Sequence, residues 1–92
     1  MGNTDSLRVI VFKEGDVWIA QGLEIDICAQ GPDLKAVKER FLVTLRSEIE
    51  HGDPSSIGPG PDEFFSLWAK RSDFVNKLRE RGGMPVEIAV AA

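Results

Sequence analysis

The chain has 92 residues, of which 42% are hydrophobic and 28% are charged; it supports one domain over residues 1–92, and its composition excludes the intrinsically disordered class. Its 15 acidic and 11 basic residues give a net charge of −4, which argues against a nucleic-acid-binding surface over the whole protein. The longest apolar runs, such as residues 9–12, are far shorter than the roughly 20 residues that cross a bilayer, so no membrane partner is expected.

The first part of the chain predicts a β-hairpin behind a short leader. Residues 1–6 are polar and lack the basic start and apolar stretch of a secretory signal, so we expect a disordered leader and a cytoplasmic protein. Residues 7–12 and 17–20 are runs of β-favouring side chains, and the segment between them contains Gly15 and has hairpin length. The two runs should therefore pair antiparallel.

The hydrophobic period changes from 2 to 3.6 in the next segment. Residues 23–30 alternate between apolar and polar side chains, which predicts a third strand and so a three-stranded antiparallel meander. After Gly31, apolar residues recur three and four positions apart over residues 34–50, which predicts a helix with Asp33 as its N-cap. The apolar stripe consists of Leu34, Val37, Phe41, Leu45 and Ile49. This helix should cover one face of the sheet.

The remaining segments complete an α+β fold. Residues 52–61 contain three glycines, three prolines and two serines and are predicted to be a loop. Residues 62–81 are predicted to be a helical segment, either one helix or two with a break near Arg71, and the break is favoured. Alternation over residues 86–90 predicts a final strand that lies parallel beside the first, which gives the strand order 3-2-1-4.

Two acidic residues are the first candidates for chemistry. Glu24 and Asp26 lie two apart on the third predicted strand and could act as an acid–base pair or bind Mg²⁺. Solvated charges on an outer strand face are the favoured interpretation. Cys28 is the only cysteine, which excludes an internal disulfide and a thiolate zinc site, and neighbouring Asp26 disfavours a reactive thiolate.

A second cluster follows the predicted helix. His51, Asp53, Ser55 and Ser56 lie within six residues and could supply a base, an acid and a nucleophile. A Gly/Pro/Ser loop does not hold such groups rigidly at hydrogen-bonding distance, and the helix dipole accounts for a histidine in the last turn. We therefore assign no catalytic, cofactor-binding or metal-binding residue and expect no enzyme activity and no cofactor.

The aromatic residues of the C-terminal segment form a candidate protein interface. One helix already covers one sheet face, so a second apolar helix must cover the other face, extend the core or dock onto another chain. The apolar residues 9–12 of the first strand alternate across both faces, which favours a homo-oligomer. The candidate interface residues are Phe64, Phe65, Leu67, Trp68, Phe74 and Leu78.

The second predicted strand has aromatic and small residues at 18–20, Leu23 opens the third strand, and Gln30-Gly31 followed by Asp33-Leu34 precedes the helix. Together with the order of the elements, these residues resemble the HicB-like antitoxin family over roughly residues 7–50 and 86–90. Residues 24–25 replace the family's Pro-Gly pair, and residues 35–37 replace its Glu-Glu-Ala. The resemblance implies a partial RNase H-like fold.

The resemblance also implies a function, with alternatives. It implies a non-enzymatic module that neutralises a small basic HicA-like mRNA-cleaving toxin, and the acidic residues of positions 1–63, twelve against six basic, suit such a partner. One alternative is a solitary family member without a toxin. Another is a divalent-metal-dependent RNase H-like nuclease or hydrolase that uses Glu24 and Asp26. Direct nucleic-acid binding is not expected, since a solvated helix face explains the basic residues Lys70, Arg71, Lys77, Arg79 and Arg81.

Overall fold

The computed structural model describes residues 6–70, 75–79 and 85–91, and for residues 75–79 it describes the backbone. Five strands are described: β1 (Leu7–Glu14), β2 (Val17–Gly22), β3 (Cys28–Gly31), β4 (Val75–Arg79) and β5 (Pro85–Val90). The helices are α1 (Leu34–His51), a short 3₁₀ helix (Pro54–Ser56) and α2 (Asp62–Ala69). The leader predicted over residues 1–6 lies outside the described residues except for Ser6.

The strands form one mixed sheet in the order β3-β2-β1-β5-β4. β1, β2 and β3 are the predicted antiparallel meander, and β5 lies parallel beside β1. The α+β class and the placement of the final strand beside the first are therefore confirmed. The turn between β1 and β2 has two residues, and Gly15 adopts φ 63° there, a conformation that costs a residue with a Cβ atom about 1–2 kcal/mol.

The third strand is shorter than predicted. Only Cys28–Gly31 pairs with β2, and residues 23–27 form an irregular connection. Their backbone groups bond elsewhere: the Leu23 N–H donates to the Arg8 carbonyl, the Gly22 N–H donates to Ile27, and the Asp26 N–H donates to Gly58. The predicted strand over residues 23–30 is thus wrong in its first half. The alternation pattern predicts that the backbone groups of this half bond a neighbouring strand, but those of Leu23 and Asp26 bond residues 58–60 instead.

Helix α1 matches its predicted bounds to within one residue and packs on the predicted face. The Asp33 side chain accepts a hydrogen bond from the Ala36 N–H at 2.7 Å, which confirms the N-cap. Val37, Phe41 and Leu45 are fully buried, and they join the odd-numbered residues of β1 in one core. The buried residues of that core are Leu7, Val9, Val11, Ala20, Ile27, Val37, Phe41, Leu45, Val86 and Ile88.

Helix α2 lies on the opposite face of the sheet. It begins at Asp62, where two acidic residues suit the positive end of the helix dipole, and it packs on Ile10, Leu23 and Ala89 through Trp68. Each face of the sheet therefore has its own small core. No helix in the part of the chain that the structure describes combines the length and apolar character needed to cross a membrane.

The helical segment predicted over residues 62–81 is observed as α2 over Asp62–Ala69, and the prediction is wrong at residues 75–79. Residues 75–79 form strand β4, which pairs antiparallel with β5 from Val75 opposite Ala89 to Arg79 opposite Pro85. A restart at Ser72 lies outside the described residues. The second edge of β5 offers a row of backbone donors and acceptors, and pairing with that edge outweighs the helical spacing of a segment this short.

Candidate functional site

A groove lies between α2 and the second face of the sheet, over β1, β2 and β3. Among the described residues it has a volume of about 470 Å³. Its floor follows from the strand register, since residues directly opposite each other point to the same face. Gln21 lies between Ile10 and Cys28 in one row, and Ile19 lies between Phe12 and Gln30 in the next. The lining residues are Phe12, Glu14, Ile19, Gln21, Cys28, Gln30, Glu63, Phe64, Ser66, Leu67 and Lys70.

Apolar side chains form the wall of the groove nearest α2. The rings of Phe12 and Phe64 stack with their centroids 5.7 Å apart and their planes inclined by 26°. Phe64 and Leu67 are half-buried, because α2 has only eight residues and covers part of the face. Apolar surface therefore remains accessible along the groove, as ligand and partner sites require.

Three charged residues line the groove. Glu14 and Glu63 supply two carboxylates, Lys70 supplies one ammonium group, and all three are exposed. None of them forms an ion pair with another residue of the described ranges. The groove thus has a net charge of −1 with apolar walls beneath it.

Gln21 is the buried polar residue of this site, with 5% of its surface exposed. Its side-chain Nε2 donates to the Gly22 carbonyl and to the Asp26 carboxylate, both at 2.9 Å. Because both partners are acceptors, the orientation of the amide is fixed and Oε1 faces away from them. No donor of the described residues bonds that oxygen, so Gln21 retains a buried acceptor beside the groove.

Cys28 lies at the edge of the groove. Partial burial, and secondly the negative charge of Asp26, raise the pKa of its thiol. Both causes disfavour the thiolate, which is the nucleophilic form of cysteine. The expectation that Cys28 is not an activated nucleophile agrees with this environment.

The other flank of α2 holds an internal cation site. The Arg8 guanidinium lies over the rings of Phe65 and Trp68, at 5.4 and 5.8 Å from their centroids. Its Nε donates to the Glu24 carboxylate at 2.6 Å, and the Arg8 backbone N–H donates to the same carboxylate at 2.8 Å. Arg8 therefore attaches α2 and the irregular connection to β1 through one guanidinium group.

The predicted acidic pair is separated into two different interactions. Glu24 bonds Arg8, and Asp26 accepts from Gln21. The prediction that both residues occupy one strand face is wrong, because residues 23–27 are not a strand. Within the described ranges, no cluster of three or more histidine, cysteine or acidic residues could hold a metal ion.

The residues His51, Asp53, Ser55 and Ser56, considered above as a catalytic cluster, form local capping and turn contacts after α1. The Asp53 carboxylate accepts from the Ser55 N–H at 3.2 Å and from the Ser55 hydroxyl at 2.6 Å, so it caps the short 3₁₀ helix. The Ser56 hydroxyl donates to the Asp53 carbonyl. His51 lies exposed in the last turn of α1, with its Nε2 3.8 Å from a Glu50 oxygen. No nucleophile–base hydrogen bond joins His51 to either serine among the bonds of the described residues.

The structure divides the candidate interface residues between three settings. Trp68, with 7% of its surface exposed, belongs to the core under α2, and Phe65 contacts Arg8. Phe64 and Leu67 line the groove. Two candidate interface residues cannot be placed, because Phe74 and the side chain of Leu78 lie outside the described residues. Arg71 and Arg81 of the basic segment also lie outside them. Lys77 and Arg79 belong to strand β4, so the predicted basic helix face is wrong at these positions.

Arg8 and most of the residues that line the groove were not among the predicted site residues. Those lining residues are Phe12, Glu14, Ile19, Gln21, Gln30, Glu63 and Ser66. Gln21 precedes Gly22 and resembles a turn residue, and Arg8 interrupts an apolar run. The signal that could have found Gln21 is the hairpin register, which places it opposite Ile10 on the face away from α1. Comparison of the chain with protein-family models, with curated proteins and with solved structures returned no match.

Proposed function

We propose that this protein is a non-enzymatic, cytoplasmic interaction module that self-associates and neutralises a small basic protein, as the resemblance to HicB-like antitoxins implies. One observation carries the proposal: the second sheet face is covered by a helix of only eight residues, which leaves half-buried Phe64 and Leu67 beside a groove with two unpaired carboxylates. Apolar surface within an acidic rim suits a basic protein partner.

The surroundings of the catalytic candidates also favour binding over catalysis. Glu24 is engaged by Arg8, Asp26 by Gln21, and Asp53 by Ser55. A two-metal nuclease site would need several carboxylates directed at common ions. The RNase H-like alternative has a direct test: cleavage of labelled RNA with Mg²⁺ or Mn²⁺ that is lost in a Glu24→Gln, Asp26→Asn double variant would replace our proposal.

Self-association is tested by size-exclusion chromatography with light scattering on the full chain. We expect a mass that is a multiple of 10.1 kDa. Leu67→Asp should shift the distribution toward the monomer, because it places a further negative charge in the proposed interface beside Glu14 and Glu63. Val43→Asp is the matched control, since Val43 is 60% exposed on α1 and lies outside the candidate interface. A strict monomer at all concentrations would contradict self-association.

Neutralisation is tested with a purified small basic HicA-like ribonuclease. Titration calorimetry should show binding that weakens as salt is added, because opposite charges at the rim are screened. Addition of the protein in equal amounts should stop RNA cleavage by the toxin. Absence of both binding and inhibition would overturn the antitoxin part and leave the self-associating module.

A further inference from the structure

We propose that the groove between α2 and β1–β3 binds an arginine side chain that a basic partner protein presents; the inference rests on the proposed function. The first argument is the internal cation site on the other flank of α2. There the Arg8 guanidinium meets two aromatic rings and one carboxylate. The groove places the same chemical groups together: the stacked rings of Phe12 and Phe64, and the carboxylates of Glu14 and Glu63.

The second argument is the unsatisfied acceptor beside the groove floor. Gln21 Oε1 is buried and accepts no hydrogen bond from the described residues, whereas Nε2 makes two. A buried acceptor is stabilised by a donor that reaches it, so it favours an occupant with N–H groups. A guanidinium carries five N–H groups and no acceptor, and it can serve Gln21 and a rim carboxylate at the same time.

The third argument concerns shape and polarity. A volume of about 470 Å³ lies in the range of small-ligand pockets and leaves room for an arginine side chain. Ile19 and Leu67 offer apolar surface for the methylene groups of an arginine, and the half-buried rings of Phe12 and Phe64 offer aromatic surface for its planar head. Lysine has no planar head and is more strongly hydrated, so the groove should prefer arginine.

The positive charge of Lys70 repels a cationic ligand, so substitutions of Lys70 test whether the ligand of the groove is a cation. It lines the same groove as Glu14 and Glu63 and leaves a net charge of −1. Removing the lysine charge should strengthen binding of a cation, and removing a rim carboxylate should weaken it. Each change should alter the dissociation constant about threefold, since these groups are exposed.

The experiment is a titration of the full ¹⁵N-labelled chain with acetyl-leucyl-arginine amide, followed by backbone amide shifts. Acetyl-leucyl-citrulline amide is the control probe, because its urea head keeps the shape and lacks the charge. We expect shifts at Ile19, Gln21, Phe64 and Leu67, and about tenfold weaker binding of the citrulline probe. Lys70→Gln should tighten and Glu63→Gln should weaken binding of the arginine probe, whereas Glu39→Gln on exposed α1 surface should leave it unchanged.

Equal binding of the two probes, shifts confined to α1, or no shifts at millimolar arginine probe would overturn the inference. A reversed effect of Lys70→Gln and Glu63→Gln would also overturn it. The outcome is separable from the proposed function: a toxin that binds and is inhibited while the arginine probe leaves the groove unshifted contradicts only the arginine site. Arginine-specific shifts without toxin binding or self-association contradict only the proposed function.

Discussion

Arg8 connects three parts of the fold at the level of a single side chain. It extends from β1, bonds Glu24 in the irregular connection and lies over Phe65 and Trp68 of α2. The ion pair is partly exposed, with 36% and 39% of the two side chains accessible, so solvent reduces its strength. The contribution of Arg8 should therefore come from packing on the rings as well as from charge.

A double-mutant cycle should separate these contributions. Arg8→Ala and Glu24→Gln should couple by about 0.5–1 kcal/mol in the free energy of unfolding. Urea denaturation of the two single variants and the double variant measures this coupling. A cycle of Arg8→Ala with Glu50→Gln, at the far end of α1, is the control and should show no coupling. Additive effects of Arg8→Ala and Glu24→Gln would show that the pair contributes no interaction energy.

The Cys28 thiol provides a second prediction at the residue scale. Burial first, and Asp26 second, raise its pKa, so Asp26→Asn should lower that pKa and increase the fraction of thiolate. The rate of alkylation by iodoacetamide at about pH 8 should then rise. Glu24→Gln, which removes a neighbouring carboxylate that does not act on the thiol, should leave the rate unchanged. A slower reaction in Asp26→Asn would contradict the assigned cause.

The same shift has a consequence for stability. The folded thiol holds its proton to higher pH than the unfolded thiol does, so the folded state binds more protons between the two pKa values. The contribution of Cys28 to the free energy of unfolding is therefore complete below the unfolded pKa and falls as the pH rises past it.

Helix α1 shows which element could be predicted reliably. Its stripe of apolar residues spans about four turns, and Asp33 caps the helix as expected. Long periodic segments are well determined because many independent residues agree on one face. The strand β4 shows the opposite case: residues 75–79 are few, and their apolar spacing fits a helix as well as a strand. Their partner β5 begins at Pro85, six positions after Arg79, so the pairing is that of consecutive strands, which the helical spacing of residues 62–81 did not indicate.

The core under α1 should depend strongly on Phe41. This side chain is fully buried among β1, β2 and α1, so Phe41→Ala should lower the free energy of unfolding by about 3–5 kcal/mol. Val43→Ala, on the exposed side of the same helix, should change it by less than about 0.5 kcal/mol. Urea denaturation compares the two variants. Equal effects would contradict the placement of the helix face.

The loop of residues 58–60 should be sensitive at one glycine only. A Cβ atom on Gly60 would lie 2.7 Å from the Gly22 carbonyl oxygen, and the Gly60 N–H donates to Leu23. Gly60→Ala should therefore destabilise the protein by about 1–3 kcal/mol. Gly58→Ala is the matched control, because a Cβ atom there meets nothing within 4 Å. Thermal unfolding measures both, and equal midpoints would show that the loop does not pack closely on β2.

The whole molecule depends on β5, which lies in the interior of the sheet between β1 and β4. Val86, Ile88 and Ala89 are buried, and they contribute to the cores on both faces. The order of strands β1–β3 and of helix α1 could be predicted from local sequence patterns, whereas the groove could not. The groove depends on both the register of β1–β3 and the short length of α2, and the spacing of apolar residues predicts neither of them.

A chain that ends at Gly83 should lose cooperative unfolding. It lacks all of β5, so β1 loses its parallel neighbour and both cores lose buried residues. Circular dichroism during heating should show no sharp transition, and the truncated protein should aggregate through the uncovered edge of β1. A chain that ends at Ala91 keeps β5 and is the control. A sharp transition at the full-length midpoint in the truncated chain would contradict the central role of β5.

The interior position of β5 also bears on synthesis at the ribosome. The chain emerges from its amino end, so the hairpin and α1 are exposed before the strand that completes the sheet has been made. Residues far apart in sequence must then find each other, since Leu7 pairs with Val86. Such distant pairing slows folding, and the sheet therefore stays incomplete until residues 85–90 have left the ribosome.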